Sequence, residues 1–382
     1  MEIVLLYIIP LIVSGVFHYF YRMKISLLET IAMFLAPTIV IGCVHLIMYY
    51  TSINDKTNEN MLVNRVEYYE PYNTYVFKMC QSCTTNSKGQ QTCYSYDCSY
   101  CDYNSEKYKM IFENGDSRSV NKKFYDSIIR EFEPNKAKFV DLHRNISYSL
   151  TCGKDGDKYV TYWNGKIEKS ITDKNVFSFE NPILINKNAY NFKEYSDDEL
   201  NNKQLLNSID YINSYSHNTH LLNFPKEKIE LFKRYLDYVN TVLQKNKKGQ
   251  IYFIFTNKPI SHAIEQKSVM LSGKNNQMIV IIGISENNKI NYVYPFSWSK
   301  NKRIEVDIKR DIEKLDVINN PNELVQITKY RMDKFEIRDM KDFDYLSHSL
   351  STPKLITLYA LMIIISVVLS IYFVNNEYDY DN

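Results

Sequence analysis

Cysteine is the residue type whose spacing says most about chemistry in this 382-residue chain. Five cysteines lie close together in the pattern C-x2-C-x9-C-x4-C-x2-C, and a sixth follows in the next polar region. The six candidates are Cys80, Cys83, Cys93, Cys98, Cys101 and Cys152. An even number of cysteines in an exported domain predicts three disulfides. Because the surrounding segment has hardly any aliphatic side chains, we expect the disulfides to staple a loop that cannot build its own core.

A structural zinc site is the alternative use of these cysteines. Two C-x2-C pairs separated by a short segment resemble a zinc ribbon, in which four thiolates hold the metal. The compartment decides between the two, since thiolates persist in the cytosol and oxidise outside it. A redox-active C-x2-C pair would need a strand-to-helix setting, which the sequence does not indicate. We therefore expect disulfides and no cofactor, with structural zinc as the alternative. Five cysteines cannot all pair among themselves, so Cys152 is the expected sixth partner.

Other candidate sites are weaker. The segment 153–158, GKDGDK, lacks the alternating ligands and the closing Glu of a calcium loop, which favours a hairpin turn. His217 and His220 are spaced for one helical face, yet no Glu-His partner motif accompanies them. His262 has no recognisable nucleophile beside it. The chain contains no phosphate loop, dinucleotide fingerprint or nucleophile elbow. We therefore assign no catalytic, cofactor-binding or metal-binding residue, and a non-enzymatic role is the expectation.

Three charge-free segments of the chain are predicted to cross a membrane. Ile3–Tyr21, Thr30–Tyr50 and Leu355–Val374 are each long enough to cross a hydrocarbon core as a helix. A cleaved signal peptide is disfavoured, because Glu2 replaces the usual basic residues and no small-x-small cleavage site follows. His18 and His45 lie inside the first two segments, and we expect both near the interface. The chain is thus predicted to be a multi-pass membrane protein with three transmembrane helices.

Basic residues in the short turn set the predicted orientation. Arg22 and Lys24 lie between the first two segments, so the positive-inside rule places this turn in the cytoplasm. The central domain then lies outside the cytoplasm, and the acidic C-terminal tail returns to it. The net charge of +2 gives no basic field that would attract nucleic acid. The expected partners are the lipid bilayer and an unidentified protein.

The predicted fold class is α+β, with two subdomains between the membrane helices. The predicted regions are 1–50 (two transmembrane helices), 51–195 (a cysteine-rich, mainly β subdomain), 196–350 (an α/β subdomain) and 351–382 (the last helix and tail). In the first subdomain, Thr51–Met61 is interpreted as a polar spacer. A hairpin is predicted around Asn114-Gly115, followed by a helix from Asn121 to Phe132. Its predicted apolar side carries Phe124, Ile128 and Ile129. A strand meander is expected at 146–152, 159–163 and 166–170.

Apolar periodicity organises the second subdomain. Ile229, Phe232, Leu236 and Val239 recur at helical spacing after Pro225. Unbroken apolar runs at 251–256 and 278–283 predict buried strands, and a helix opened by Pro259 between them predicts a parallel β-α-β unit. A strand at 290–296 and helices at 304–315 and 323–332 complete the prediction.

Residues 250–297 weakly resemble the TPM domain, which membrane-anchored bacterial proteins share with a thylakoid phosphatase-like protein. The order strand, helix, kink, strand and hairpin strand matches, with the kink at Ser272–Asn276. The Asp-Arg pair usual after the second strand is replaced by residues 285–288, Ser-Glu-Asn-Asn. The resemblance therefore implies the β-α-β fold and assigns phosphatase or metal chemistry to no residue.

The overall layout resembles a group of uncharacterised membrane proteins of large tailed bacteriophages. The resemblance rests on the N-terminal helix pair, on YDCSY at Tyr96–Tyr100 and on DF-x-YL at Asp342–Leu346. The resemblance implies a virus-encoded membrane protein. The leading functional expectation is a membrane-anchored protein whose exported domain makes contacts at the envelope surface. The alternative is a membrane-tethered, TPM-like phosphohydrolase. An acidic cluster at the carboxyl ends of the strands at 251–256 and 278–283 would favour the enzyme.

Overall fold

The computed structural model describes residues 2–21, 25–85, 87–89, 91–132, 136–139, 156–185, 190–193, 195–206, 215–346 and 352–375. They form an α+β structure, as predicted from the sequence. The helices are α1 (Glu2–Tyr21), α2 (Leu27–Ile53), α3 (Lys122–Phe132), α4 (Asp197–Lys203), α5 (Lys226–Lys245), α6 (Ile260–Val269), α7 (Arg303–Glu313), α8 (Pro321–Met332) and α9 (Thr352–Asn375). The strands are β1 (Asn54–Tyr69), β2 (Tyr72–Val76), β3 (Met79–Thr85), β4 (Gln91–Asp97), β5 (Tyr100–Asn104), β6 (Lys107–Phe112), β7 (Ser117–Ser119), β8 (Lys136–Phe139), β9 (Lys158–Tyr162), β10 (Thr172–Glu180), β11 (Ser216–His217), β12 (Gln250–Thr256), β13 (Gln277–Ile284) and β14 (Ile290–Ser297).

The apolar helices α1, α2 and α9 pack against one another. Leu6, Ile41, Leu358 and Met362, all fully buried, form the centre of their contact. Most of the other apolar side chains point outward, including Ile39 and Val368. Such a surface is costly in water and suits contact with lipid. The helices α2 and α9 are long and apolar enough to cross a membrane, while the apolar part of α1 at Leu6–Tyr21 is shorter.

Short polar contacts fix the ends of these helices. Ser26 and Glu29 form a reciprocal capping box at the start of α2. His18 of α1 hydrogen-bonds Thr30 of α2 through Nδ1 at 2.9 Å, which joins the two helices beside their turn. The turn residues Arg22 and Lys24 lie outside the described residues. At the opposite end of α2, Lys354 Nζ donates to Ser52 Oγ at 2.6 Å, so α9 begins where α2 ends.

The prediction of a polar spacer at Thr51–Met61 is wrong. Residues 51–53 extend α2, and β1 starts directly after Ile53. The first half of β1 pairs with β10, and its second half pairs with β6 and β9. These strands satisfy the polar backbone of a segment whose side chains show no apolar alternation. β1 is therefore the central strand of the first sheet, which has the order β7-β6-β1-β9-β8 with β10 beside it.

The helix α3 covers this sheet with a face that includes the predicted Ile128 and Ile129 but not the predicted Phe124. Tyr125, Ile128 and Phe132 are buried against β1 and β6, whereas Phe124 is 43% exposed. The Asn121 side chain accepts from Phe124 N, as expected for a residue that starts a helix. The hairpin at Asn114-Gly115 forms between β6 and β7. The predicted strand at 166–170 is instead a 3₁₀ turn at Ile167–Lys169, and the one at 146–152 lies outside the described residues.

The second sheet has the order β11-β12-β13-β14. β12 and β13 are parallel neighbours joined through α6, and β14 runs antiparallel to β13, which confirms the predicted unit. The predicted face of α5 is buried on this sheet, where the ring of Phe232 contacts Phe253 and Phe255. The Asn240 side chain bonds both backbone groups of Ile251, donating at 2.9 Å and accepting at 2.7 Å.

The first half of β1 joins the two sheets. Thr57 Oγ1 donates to Asn276 Oδ1 at 2.9 Å, and Asn60 N donates to Gln244 Oε1 at 2.5 Å. Lys274 of the α/β subdomain also forms an ion pair with the buried Asp55, one residue beyond the start of β1. The strand that leaves the apolar helices is thus fixed to both subdomains.

Candidate interaction arm

The cysteine-rich segment is a two-stranded arm and not the irregular loop expected from the sequence. We call residues 72–104 the arm. It leaves the first sheet after β1, runs through β2 and β3, turns, and returns through β4 and β5 to β6. β3 pairs with β4 and β2 pairs with β5, both antiparallel. Within the described chain each pair forms a separate two-stranded sheet, so the arm has two free edges along its length.

Two disulfides cross the outer part of the arm. Cys80 bonds to Cys98 with Cα atoms 5.7 Å apart, and Cys83 bonds to Cys93 with Cα atoms 4.0 Å apart. These cysteines form disulfides and therefore leave no thiolate for the zinc alternative. Cys101 is also disulfide-bonded. The sixth candidate, Cys152, lies outside the described residues.

The strand register places the two disulfides on opposite faces of the arm. Cys83 lies directly opposite Cys93, while Cys80 lies opposite Tyr96. Because side chains alternate between faces, Cys80, Tyr94 and Tyr96 share one face and the Cys83–Cys93 bridge lies on the other. The rings of Tyr94 and Tyr96 have centroids 6.3 Å apart. One face of the arm therefore presents a pair of tyrosines held at a fixed separation.

The arm exposes an unusual amount of aromatic surface. Every described residue of β4 is exposed. Tyr94 is 58% exposed and Tyr103 is 63% exposed. The other exposed large side chains of the arm are Phe77, Met79, Tyr96 and Tyr100. Tyrosine gives a large contact area at a low cost in conformational entropy, and Ser, Thr and Asn beside it offer adaptable hydrogen bonds. The arm thus has the composition of a protein-binding surface.

A ladder of tyrosines makes the root of the arm rigid. Tyr68 of β1 stacks on Tyr108 of β6 and Tyr159 of β9, with ring centroids 4.9 and 5.7 Å away. Tyr125 of α3 packs across the ladder. Burial raises the pKa of the Tyr125 hydroxyl to about 12 and raises that of Tyr108 further, so both rings stay neutral. Cross-strand aromatic pairs stabilise a sheet, and here they fix the strands from which the arm emerges.

A buried carboxylate strengthens the same root. Glu67 is 4% exposed and accepts from Arg65 Nε at 2.9 Å and from Tyr69 Oη at 2.7 Å. Lys158 Nζ lies 3.1 Å from Glu67 Oε2, the same oxygen that accepts from Tyr69. Burial alone would raise the pKa of Glu67, but these three donors together hold it below its ordinary value. The charge is therefore retained inside the sheet by strands β1 and β9.

The arm begins at the end of β1 that is remote from the apolar helices. β1 has 16 residues, which span about 50 Å in an extended strand. Its first residue follows α2 directly, and its last residues are the root of the arm. The arm is thus carried away from the apolar helices by the longest strand in the described chain.

The histidine candidates are brought together in an unexpected combination. His217 ends β11 and His262 lies in the first turn of α6, and both line one cavity of about 380 Å³. Burial lowers the pKa of His217, and the nearby His220 lowers it further. His220 is exposed and does not line the cavity. The parallel pairing of β11 with β12 creates this neighbourhood, and β11 is too short to leave a pattern in the sequence.

The carboxyl ends of the parallel strands carry no acidic cluster in the described chain. β12 ends at Thr256 and is followed by Asn257 and Lys258, and Glu286 is the one acidic residue directly after β13. No three His, Cys, Asp or Glu side chains lie together as a metal-ligand set among the described residues. The arrangement named above as favouring a phosphohydrolase is therefore not formed by these residues. Of the segment 153–158, only the last three residues are described, directly before and at the start of β9.

Sequence reasoning found the cysteines of the arm but missed its exposed aromatic faces. The sequence contains a signal for these faces. Between Cys93 and Cys101, tyrosine alternates with small polar residues, as expected for a strand with two solvated faces. Comparison with known proteins adds no relative: no family model, no curated protein and no solved structure matches this chain.

Proposed function

We propose that this protein is a membrane-anchored contact protein that binds a protein partner through the arm. In this proposal α1, α2 and α9 all cross the bilayer, and the domain between α2 and α9 lies outside the cytoplasm. The observation that carries the proposal is the exposed tyrosine surface on a disulfide-crosslinked, two-stranded arm remote from the membrane helices.

The oxidised cysteines support the proposed location. Disulfides persist in oxidising compartments and are rare in the cytosol. The joined ends of α2 and α9 support a domain on one side of the apolar helices, at the end of α2 away from its start at Leu27. This arrangement agrees with a cytoplasmic turn and an external domain. The origin in a virus remains a prediction from the resemblance to bacteriophage membrane proteins.

A protein is the partner that the surface chemistry favours. The arm carries Lys78, Lys88, Asp97 and Asp102, so charges of both signs lie between the aromatic side chains. A mixed surface of this kind lacks the basic excess that binds nucleic acid or anionic lipid. Aromatic anchors surrounded by small polar side chains are typical of interfaces with proteins.

Site-specific photocrosslinking tests the proposal. A photoreactive amino acid replaces Tyr94 in the arm, and Tyr330 of α8, which is 70% exposed, serves as the matched control position. After irradiation of intact cells, we expect a discrete crosslinked protein from position 94 and none from position 330. The loss of that product on Tyr96→Ala would locate the contact on the tyrosine face. Equal products from both positions, or none from position 94, would refute the proposal.

A further inference from the structure

The cavity at the carboxyl ends of β11 and β12 has the position and lining of an anion site. In open α/β sheets, ligands bind in the crevice outside the carboxyl ends of parallel strands. Here the crevice is formed by the ends of β11 and β12 and by the start of α6. The cavity of about 380 Å³ is within the range of small-molecule sites. It lies in the second sheet, and the arm contributes no residue to it.

The lining of this cavity is basic or neutral. Its polar side chains include His217, Asn257, Lys258 and His262, and no Asp or Glu lines it in the described chain. Leu205, Leu206 and Leu221 supply an apolar wall. Among the described residues, a negatively charged group would therefore meet Lys258 and neutral donors and no carboxylate, while a cation would be repelled by Lys258. An organic anion with an apolar or neutral body fits both parts of the lining.

Two features leave donors available to such a ligand. Both ring nitrogens of His262 are buried without a hydrogen-bond partner among the described residues, which is costly unless a ligand or water satisfies them. The first turn of α6 carries His262 and begins after Pro259 without a side-chain cap, so the positive end of the helix dipole lies at this turn. Thr256 Oγ1 accepts from Lys258 N at 3.1 Å, which fixes the backbone that carries the lysine.

We infer that this cavity binds a small phosphate ester. The phosphate would be held by Lys258, the two histidines and the start of α6, since phosphate offers several acceptor oxygens to converging donors. Inorganic phosphate alone would leave most of the cavity unfilled. The ester body would occupy the part lined by the leucines. This inference does not depend on the proposed function of the arm.

Calorimetric titration of the full-length protein in nanodiscs tests this inference, with glycerol 3-phosphate, inorganic phosphate and glycerol as probes. We expect glycerol 3-phosphate to bind more tightly than inorganic phosphate, and glycerol to show no binding. Lys258→Gln should weaken binding of the ester roughly tenfold, because one charged contact is lost. Lys226→Gln changes an equally exposed lysine outside the cavity and should have no effect. His262→Gln should also weaken binding.

The result that would overturn the inference is equally specific. Absence of binding of both phosphates at millimolar concentration would refute it. Equal affinity in the wild type and in Lys258→Gln would also refute it, since this exposed side chain can be changed without disturbing the core. Equal affinity for glycerol and its phosphate would show that the cavity does not recognise the anion.

Discussion

Removal of the Cys80–Cys98 and Cys83–Cys93 disulfides should open the β3–β4 hairpin of the arm and leave the rest of the protein folded. The change is Cys80→Ser, Cys83→Ser, Cys93→Ser and Cys98→Ser in one variant. The strands β3 and β4 pair only with each other in the described chain, and an isolated two-stranded hairpin is marginal in water. Their stability therefore depends on the two crosslinks more than on packing.

The size of the effect follows from the loops that the disulfides close. The bridges join residues 18 and 10 positions apart. A loop of this size corresponds to about 3 kcal/mol of restricted chain entropy. The inner bridge adds less than this because the outer bridge already limits the chain. A total of at least about 3 kcal/mol is then expected for local opening, which equals a factor on the order of 100 or more in the opening equilibrium.

Hydrogen exchange followed by mass spectrometry measures this opening directly. Peptides from β3 and β4 should exchange on the order of 100 times faster in the variant than in the wild type. Peptides from β13 should not change, because that strand is fully buried in the other sheet. Cys43→Ser is the matched control, since Cys43 is a free, exposed cysteine in α2.

Two results would refute this argument. Unchanged exchange in the arm would mean that its strands are stable without the crosslinks. Faster exchange in β13 as well would mean that the disulfides support the whole domain and not only the arm.

Three further changes test buried positions in the two sheets and in α5. Glu67→Gln should destabilise the protein by about 3 kcal/mol in chemical denaturation, because it breaks a buried charge cluster. Since the folded pKa of Glu67 is lowered from 4.5, the wild-type advantage should be complete above pH 4.5 and disappear as the pH falls through that lowered value. Burial raises the pKa of Asp237 from 3.8 to about 6, so the wild type should lose up to about 3 kcal/mol as the pH rises through this interval. Asp237→Asn should therefore raise the melting temperature at pH 7.5 and not at pH 3.5; a gain at both values would contradict the assignment. Gly283→Ala should cost about 2 kcal/mol, because a Cβ there overlaps the ring of Tyr292, and Tyr292→Leu should restore part of the loss.

Apolar periodicity predicted the parts of the fold that bury a regular face. The face of α5 and the parallel pair β12 and β13 follow from side-chain spacing, because each lies against a large core. Apolar periodicity was less informative about the buried face of α3, where Phe124 is apolar but exposed. A short helix on the edge of a small core can be amphipathic in more than one register.

Long-range contacts account for the elements that could not be predicted. The first half of β1 is polar, and its strand structure depends on pairing with β10 more than one hundred residues later in the chain. Its buried Asn60 is satisfied by the hydroxyl of Tyr215 at 2.6 Å, a contact that no local pattern reveals. The cavity between His217 and His262 depends in the same way on the register of β11 with β12. The cysteines could be identified from sequence, whereas their pairing required the register of β3 and β4.

The oxidation state of the arm in the native membrane tests the central claim most directly. Cells are treated with a membrane-permeant alkylating reagent before lysis, and the arm peptides are then analysed by mass spectrometry without reduction. The account predicts peptides crosslinked between Cys80 and Cys98 and between Cys83 and Cys93. Alkylation of all four of these cysteines would contradict it, because an arm kept in the reduced state would lie in a reducing compartment and not outside the cytoplasm.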